Sequence, residues 1–291
     1  MKAKYIILLL RPEQWVKNLF VFIPLFFDKK LFDINYLVPS MTAFLAFCLI
    51  SSSIYCLNDI VDVERDRIHP KKRNRPIASG AITKKEGYLL MLACIALSMA
   101  IASITATTMW IIIATYYLMN VAYTFRLKQY AIVDVFTIAT GFVLRVFAGS
   151  ESCEVTPTCW LVLMTYLLSL FLAFGKRRDD IVLYERDGIL RRKNTVNYNL
   201  PFLNMIIGML AAITIVCYIL YTVSPEVTER FHSCNVYLTS IFVLAGLIKY
   251  IQITVVEKNS GSPTKILIGN HFIKLCIAGW LLTFLVIIYF R

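Results

Sequence analysis

Charge is scarce in this chain. Only 16% of its 291 residues are Asp, Glu, Lys or Arg, whereas 58% are hydrophobic and the mean hydropathy is +0.68. Soluble domains of this size are far more polar, so a soluble fold is excluded. No polar linker or low-complexity stretch divides the chain, and a single integral membrane domain over residues 1–291 is expected. A secretory leader is not expected either. The apolar run within Met1–Leu10 is six residues long, and Arg11-Pro12 follows in place of a small-residue cleavage site. The eight cysteines show no zinc spacing, and most sit in apolar segments as small hydrophobes. Cys153 and Cys159 differ: they flank a short polar loop, where a disulfide requires an oxidising compartment.

What the chain does have is a series of apolar runs, several about 20 residues long, enough to cross a bilayer core as helices. Nine spans are predicted, at 13–28, 36–58, 85–105, 108–126, 131–150, 158–176, 201–223, 232–254 and 268–290. The fold class is therefore all-α and polytopic. The first span is short and carries Pro24, which predicts a kink or a tilt. The net charge of +12 is read as topology, not as affinity for nucleic acid. Of the 30 Lys and Arg, 24 fall in the N-terminal segment and in the loops at 65–85, 126–128, 176–193 and 249–265. The loop around 151–157 has two Glu and no base. The positive-inside rule then puts the N-terminus and the basic loops in the cytoplasm and the C-terminus outside, in the cell's inner (plasma) membrane.

Against this apolar background the stretch Asn58 to Asp66, N-D-I-V-D-V-E-R-D, stands out. At about 100° per residue, Asp59, Asp62 and Asp66 fall within roughly 60° of one another on a helix, with Asn58 extending the stripe. Three anions on one face repel unless a cation lies among them, and oxygen-only ligands point to magnesium. The competing structural account pairs these carboxylates with Arg65 or Arg67 at helix spacing. Downstream lie His69, Lys71, Lys72, Arg73 and Arg75, a cationic loop suited to a phosphorylated substrate or, alternatively, to anionic lipid. Other candidates are Lys17 and Asn18 at the start of the first span, Tyr123 and Lys128, the intramembrane acid Asp134, and Lys176 with Arg177 in G-K-R-R-D-D. Each has a plainer alternative as a snorkelling, capping or salt-bridge residue. Arg145 and Trp15 are read as structural and as an interface anchor. Span two and span six both end in charged motifs, a weak sign of internal duplication.

Together, Arg11-Pro12, Gln14-Trp15 and Lys17-Asn18, Asn58 through Asp66, His69-Pro70, Lys72-Arg73, Arg75 to Ala78, Gly80, Tyr123, Leu127-Lys128, Asp134, Gly141-Phe142, Arg145, Ala148-Gly149 and Phe174 to Arg177 resemble the UbiA superfamily of intramembrane prenyltransferases. Within it they look most like the polyprenyl-phosphate phosphoribosyltransferases. The resemblance runs to about residue 180; beyond that it is one of hydropathy. It implies a UbiA-like bundle of nine helices with a cytoplasm-facing active-site cavity. The implied reaction transfers 5-phosphoribosyl from phosphoribosyl pyrophosphate to a polyprenyl phosphate and releases pyrophosphate, with Mg2+ as cofactor. Asp59, Asp62 and Asp66 are then the metal ligands and catalytic with Asp134. Lys17, Asn18, Asn58, Arg73, Arg75, Tyr123, Lys128, Lys176 and Arg177 are the substrate-binding set. The chain departs from the aromatic prenyltransferases of the superfamily, which carry a second Asp-rich motif after span six; here that place is basic, ending in Asp179 and Asp180. The polyprenyl-phosphate subgroup usually has Glu where this chain has Asp180. Two rivals remain: an aromatic prenyltransferase using a polyprenyl diphosphate, and a lipid or ion transporter, whose charges belong nearer the bilayer midplane.

Overall fold

The structure, a computed structural model, describes residues 2–68, 72–188, 193–257, 266 and 269–289. His69 and Lys71 of the basic loop lie outside these residues. Among the described residues all regular secondary structure is helical. The chain forms two compact units, one of residues 1–127 and 141–157, the other of residues 128–140 and 158–291.

The first unit opens with α1 (Lys2–Leu10), a 3-10 segment (Pro12–Phe22) and the short α2 (Ile23–Phe27). This is the region of the first expected span. It is not one α-helix: a proline stands within the first two positions of both the 3-10 segment and α2, where the missing N–H ends one run and starts another. Next come α3 (Ile34–Val61), α4 (Val63–Ile68), α5 (Lys84–Thr105) and α6 (Met109–Phe125). Asp33 caps α3 by accepting from the Asn35 N–H at 2.9 Å. Thr83 and Glu86 form a reciprocal capping box at the start of α5. The inner face of α3 carries Ala43 and Ala46 beside Phe47 and Ile50, packed with Met109, Ile113 and Tyr116 of α6. Small residues let the helix backbones approach, and Ser98 of α5 donates to the Ala46 carbonyl at 2.8 Å.

The helix α7 (Val133–Ser152) gives its first turns to the second unit and the rest to the first. The second unit continues with α8 (Cys159–Asp187), α9 (Leu200–Val223), α10 (Pro225–Phe231), α11 (Thr239–Val255) and α12 (His271–Tyr289). Its core gathers Leu167, Leu170, Phe171 and Phe174 of α8 with Leu203 and Ile207 of α9 and Leu247, Tyr250 and Ile253 of α11.

Among the described residues, seven helices are long and apolar enough to cross a membrane, and Met109–Phe125 is a shorter apolar one. The chain is thus a multi-pass membrane protein. The longest are α3, with 28 residues, and α8, with 29, which span roughly 42–44 Å at 1.5 Å per residue, well beyond a bilayer core of about 30 Å. Both carry their charged motif on the surplus C-terminal turns. The cysteines flanking the 153–158 loop are free thiols, Cys153 buried and Cys159 exposed.

Candidate active site

Asp59 lies in the last turn of α3, Asp62 caps that helix, and Asp66 lies in α4. The Asp62 N–H bonds to the Asn58 carbonyl and the Asp66 N–H to the Asp62 carbonyl, each at 2.9 Å, so the helical step persists through the break and the three acids keep a common side. Carboxylates at a helix C-terminus oppose the macrodipole, which concentrates the need for positive charge there. Two arginines meet it. Arg11 Nη2 donates to Asp59 Oδ1 at 2.5 Å. Arg75 Nη1 lies 2.5 Å from Asp66 Oδ2 and 3.2 Å from Asp59 Oδ1, bridging both acids with one nitrogen. Asp59 and Asp66 are each about 2% exposed. Arg67 pairs instead with Glu64 on the outer face. The arginines that pair with Asp59 and Asp66 here are not those at helix spacing, Arg65 and Arg67.

The approach of Arg75 is set by the loop that carries it. After a 3-10 turn at Lys72–Asn74, the chain folds back with Ser79 N–H on the Arg75 carbonyl and Ile82 N–H on the Pro76 carbonyl, and Gly80 takes φ +80° to close the turn. Ile77 and Ile82 bury themselves among Cys56, Leu57, Ile60 and Val63. These apolar anchors pin the loop beneath the end of α3. Arg11 reaches Asp59 from a left-handed residue (φ 51°) at the junction of α1 and the 3-10 segment, a conformation that costs roughly 1 kcal/mol in a non-glycine residue. Its sole signal in the sequence is the Arg-Pro pair that ends α1. Thr124 of α6, also unflagged by the sequence, lies 2.8 Å from Asn58 Oδ1 and orients that amide.

Asn18 is fully buried and belongs to a different network. Its Oδ1 accepts from Arg145 Nε at 2.7 Å, and Arg145 also donates to the Gly141 carbonyl at 2.7 Å and the Tyr116 hydroxyl at 2.9 Å. The guanidinium carbon lies 4.9 Å from the centre of the Tyr116 ring and 5.2 Å from that of Phe142. Arg145 is thus a buried hub, as its structural reading expected, and Asn18 is its partner. Lys17 is half-buried beside it in the 3-10 segment. Trp15 donates to Ser52 Oγ at 3.1 Å, tying the 3-10 segment to α3.

In the second unit Asp134 is fully buried and uses both oxygens: Oδ2 accepts from Arg177 Nε at 2.6 Å and Oδ1 from the Tyr198 hydroxyl at 3.3 Å. Burial pushes the Tyr198 phenol up to about 12, so it stays a donor, and it accepts the Ile132 N–H at 2.6 Å. Arg177 also donates from Nη1 to Asp180 Oδ2 at 2.9 Å; its buried Nη2 has no partner in this arrangement. Arg178 turns the other way, to Asn204 Oδ1 at 2.6 Å and to the Thr254 and Val255 carbonyls at the C-terminus of α11. Lys176 is half-buried on α8, and Lys128 half-buried in a 3-10 turn at Leu127–Gln129. In the first unit Tyr123 is half-buried near the end of α6 and Arg73 is exposed.

Among the described residues no three His, Cys, Asp or Glu side chains converge in a metal-ligating arrangement. The donor chemistry nevertheless fits a hard divalent cation. The groups are all oxygen, Asp59 and Asp66 are already drawn together around one positive nitrogen, and Asp59 Oδ2 is buried without a hydrogen-bond partner.

Fold and site together define a helical membrane protein that gathers acids and arginines at the end of an overlong span. The chain belongs to the UbiA prenyltransferase family, whose pattern it matches over residues 32–196. It is 31% identical to the decaprenyl-phosphate phosphoribosyltransferase of Mycolicibacterium smegmatis, covering 96% of this chain and 91% of that one. It is 30% identical to the enzyme of the same name from Corynebacterium glutamicum, over 96% and 85% of the two chains. A UbiA homolog from Archaeoglobus fulgidus, solved with GPP and Mg2+, shares the fold with a TM-score of 0.72 at 18% identity, over 98% and 99% of the chains.

Proposed function

We propose that this protein transfers 5-phosphoribosyl from phosphoribosyl pyrophosphate to a polyprenyl phosphate in the plasma membrane. The observation that carries the proposal is the pair of buried carboxylates, Asp59 and Asp66, bridged by Arg75 at the end of α3. Similarity over nearly the whole chain to decaprenyl-phosphate phosphoribosyltransferases supports this substrate pair. Asp59, Asp62 and Asp66, with Asn58 beside them, would hold the magnesium ion, which when bound neutralises the departing pyrophosphate. An oxygen of the lipid phosphate forms the new bond to C1, and the C1–O bond to pyrophosphate breaks with its electron pair leaving on that oxygen. The attacking phosphate is already an anion, so no strong general base is needed, and a single in-line displacement inverts C1.

The chain's own residues position and neutralise. Arg73, Arg75 and Lys17 serve the phosphates on the first unit, and Tyr123 serves a ribose hydroxyl. Lys128, Lys176 and Arg177 serve phosphate on the second, Arg177 through the Nη2 edge that its two carboxylates leave over. Asp134, both of whose oxygens are engaged, acts as a positioning residue by holding Arg177. Asn18 acts in the same sense through Arg145. The N-terminus and the site face the cytoplasm and the C-terminus lies outside. The chain works as one integral membrane enzyme.

The decisive assay combines purified protein, magnesium, radiolabelled phosphoribosyl pyrophosphate and a polyprenyl phosphate. Label should pass to the lipid fraction with inversion at C1. Retention would remove the single displacement. Prenylation of an aromatic acid from a polyprenyl diphosphate, without ribosyl transfer, would replace this function with that of an aromatic prenyltransferase.

A further inference from the structure

Arg75 stands where a divalent cation would have to stand. Its Nη1 bridges Asp59 and Asp66, at 3.2 and 2.5 Å, and both acids are almost wholly buried. A guanidinium nitrogen and a metal ion cannot share that position: they exclude each other sterically and repel as like charges. The geometry also leaves a donor in reserve, because Asp59 Oδ2 is buried and unpartnered while Oδ1 carries both Arg11 and Arg75. Arg75 is not locked in. Its side chain is 26% exposed, and it sits on a loop whose anchors are Ile77 and Ile82, not the arginine itself.

We infer that Arg75 is a displaceable counter-cation that couples ion binding to donor binding. In the ligand-free protein it neutralises Asp59 and Asp66 and competes with any free divalent ion. Breaking that buried pair leaves a guanidinium without its anion, so loading an ion alone is unfavourable. The pyrophosphate of the donor supplies a new anion, and its planar fork lets Arg75 move from carboxylate to phosphate oxygens without losing charge-assisted bonds. Donor and ion therefore favour each other, and by linkage the coupling is reciprocal. The pair also keeps Asp59 and Asp66 from repelling when the site is empty of ligand. The inference rests on the donor-binding role proposed above and adds an order of events to it: the ion is held tightly only with the donor.

The test reads binding, with Mn2+ as the probe. Electron paramagnetic resonance on protein in detergent, without donor, gives the affinity for Mn2+ alone. Arg75→Gln should bind Mn2+ at least tenfold more tightly than wild type. Arg73→Gln removes the same charge two residues away from an exposed position, and should change the affinity by less than threefold, because an exposed charge is screened. At saturating Mn2+, equilibrium dialysis of labelled phosphoribosyl pyrophosphate should show the opposite sign, with Arg75→Gln at least tenfold weaker than wild type. Arg75→Met removes the charge while keeping the length of the side chain, and should also bind Mn2+ alone more tightly; it serves if the glutamine variant fails to fold as judged by gel filtration and melting. Equal effects of Arg75→Gln and Arg73→Gln, or no tightening in either Arg75 variant, would overturn the inference and leave the donor-binding role intact. Absence of Mn2+ binding to wild type both with and without donor would overturn the two together.

Discussion

At the residue scale, the decisive side chains are those whose partners could not be inferred from spacing. Asp59 and Asp66 are bridged by an arginine nine residues beyond Asp66, and Asp59 is held by another 48 residues before it. Helix spacing pointed to Arg65 and Arg67; the structure spends Arg67 on Glu64 at the surface. Burial makes the acids consequential, since carboxylates this deep must meet a cation. Asp59→Asn and Asp62→Asn should each lower phosphoribosyl transfer by at least about a hundredfold, the loss expected when charge stabilisation of a leaving group is removed. Both variants should keep the wild-type gel-filtration profile in detergent. Wild-type turnover in both would remove the proposed ion site. Arg145 is a contrasting case: a buried cation satisfied by an amide, a carbonyl, a hydroxyl and aromatic faces, none of them charged.

At the scale of elements, close approach is the governing constraint. A Cβ placed on Gly149 of α7 would lie 1.9 Å from the Val21 carbonyl oxygen of the 3-10 segment. That neighbour is backbone and cannot rotate away. A Cβ on Gly175 of α8 would meet the Tyr250 hydroxyl at 2.6 Å, the far end of a side chain that can shift. Gly149→Ala should therefore cost about 3 kcal/mol, and Gly175→Ala nearer 1 kcal/mol. Thermal melting in detergent checks the order; a Gly149→Ala protein as stable as wild type would contradict the packing of α7 against the 3-10 segment. The irregular form of that segment has the same origin. It carries Arg11, Trp15, Lys17 and Asn18 past α3 in a register set by Pro12 and by the bonds to Ser52 and Arg145. A regular α-helix over residues 13–28, even one kinked or tilted at Pro24, would present these side chains with a different pitch.

At the scale of the whole molecule, the lopsided distribution of Lys and Arg argues for an orientation. Cys159 and Cys234 are exposed, Cys159 at the start of α8 after the base-poor 151–157 loop and Cys234 at the start of a 3-10 segment between α10 and α11. A membrane-impermeant maleimide should label both in intact cells. Labelling that requires broken cells would invert the topology proposed here. The hydrophobic runs by themselves determined that the chain is a helical membrane protein, because only helices of about this length satisfy their backbone within lipid. The aligned acids Asp59, Asp62 and Asp66 were equally plain, since helical periodicity is a local property. Tertiary structure decided the rest. That Arg11 and Arg75 converge on Asp59, that Asn18 serves Arg145, and that Asp134, Arg177 and Tyr198 consume one another's polar groups depends on loops returning across tens of residues. Local pattern fixes which residues share a helix face; which distant cation neutralises a buried acid is settled only when apolar packing brings the segments together.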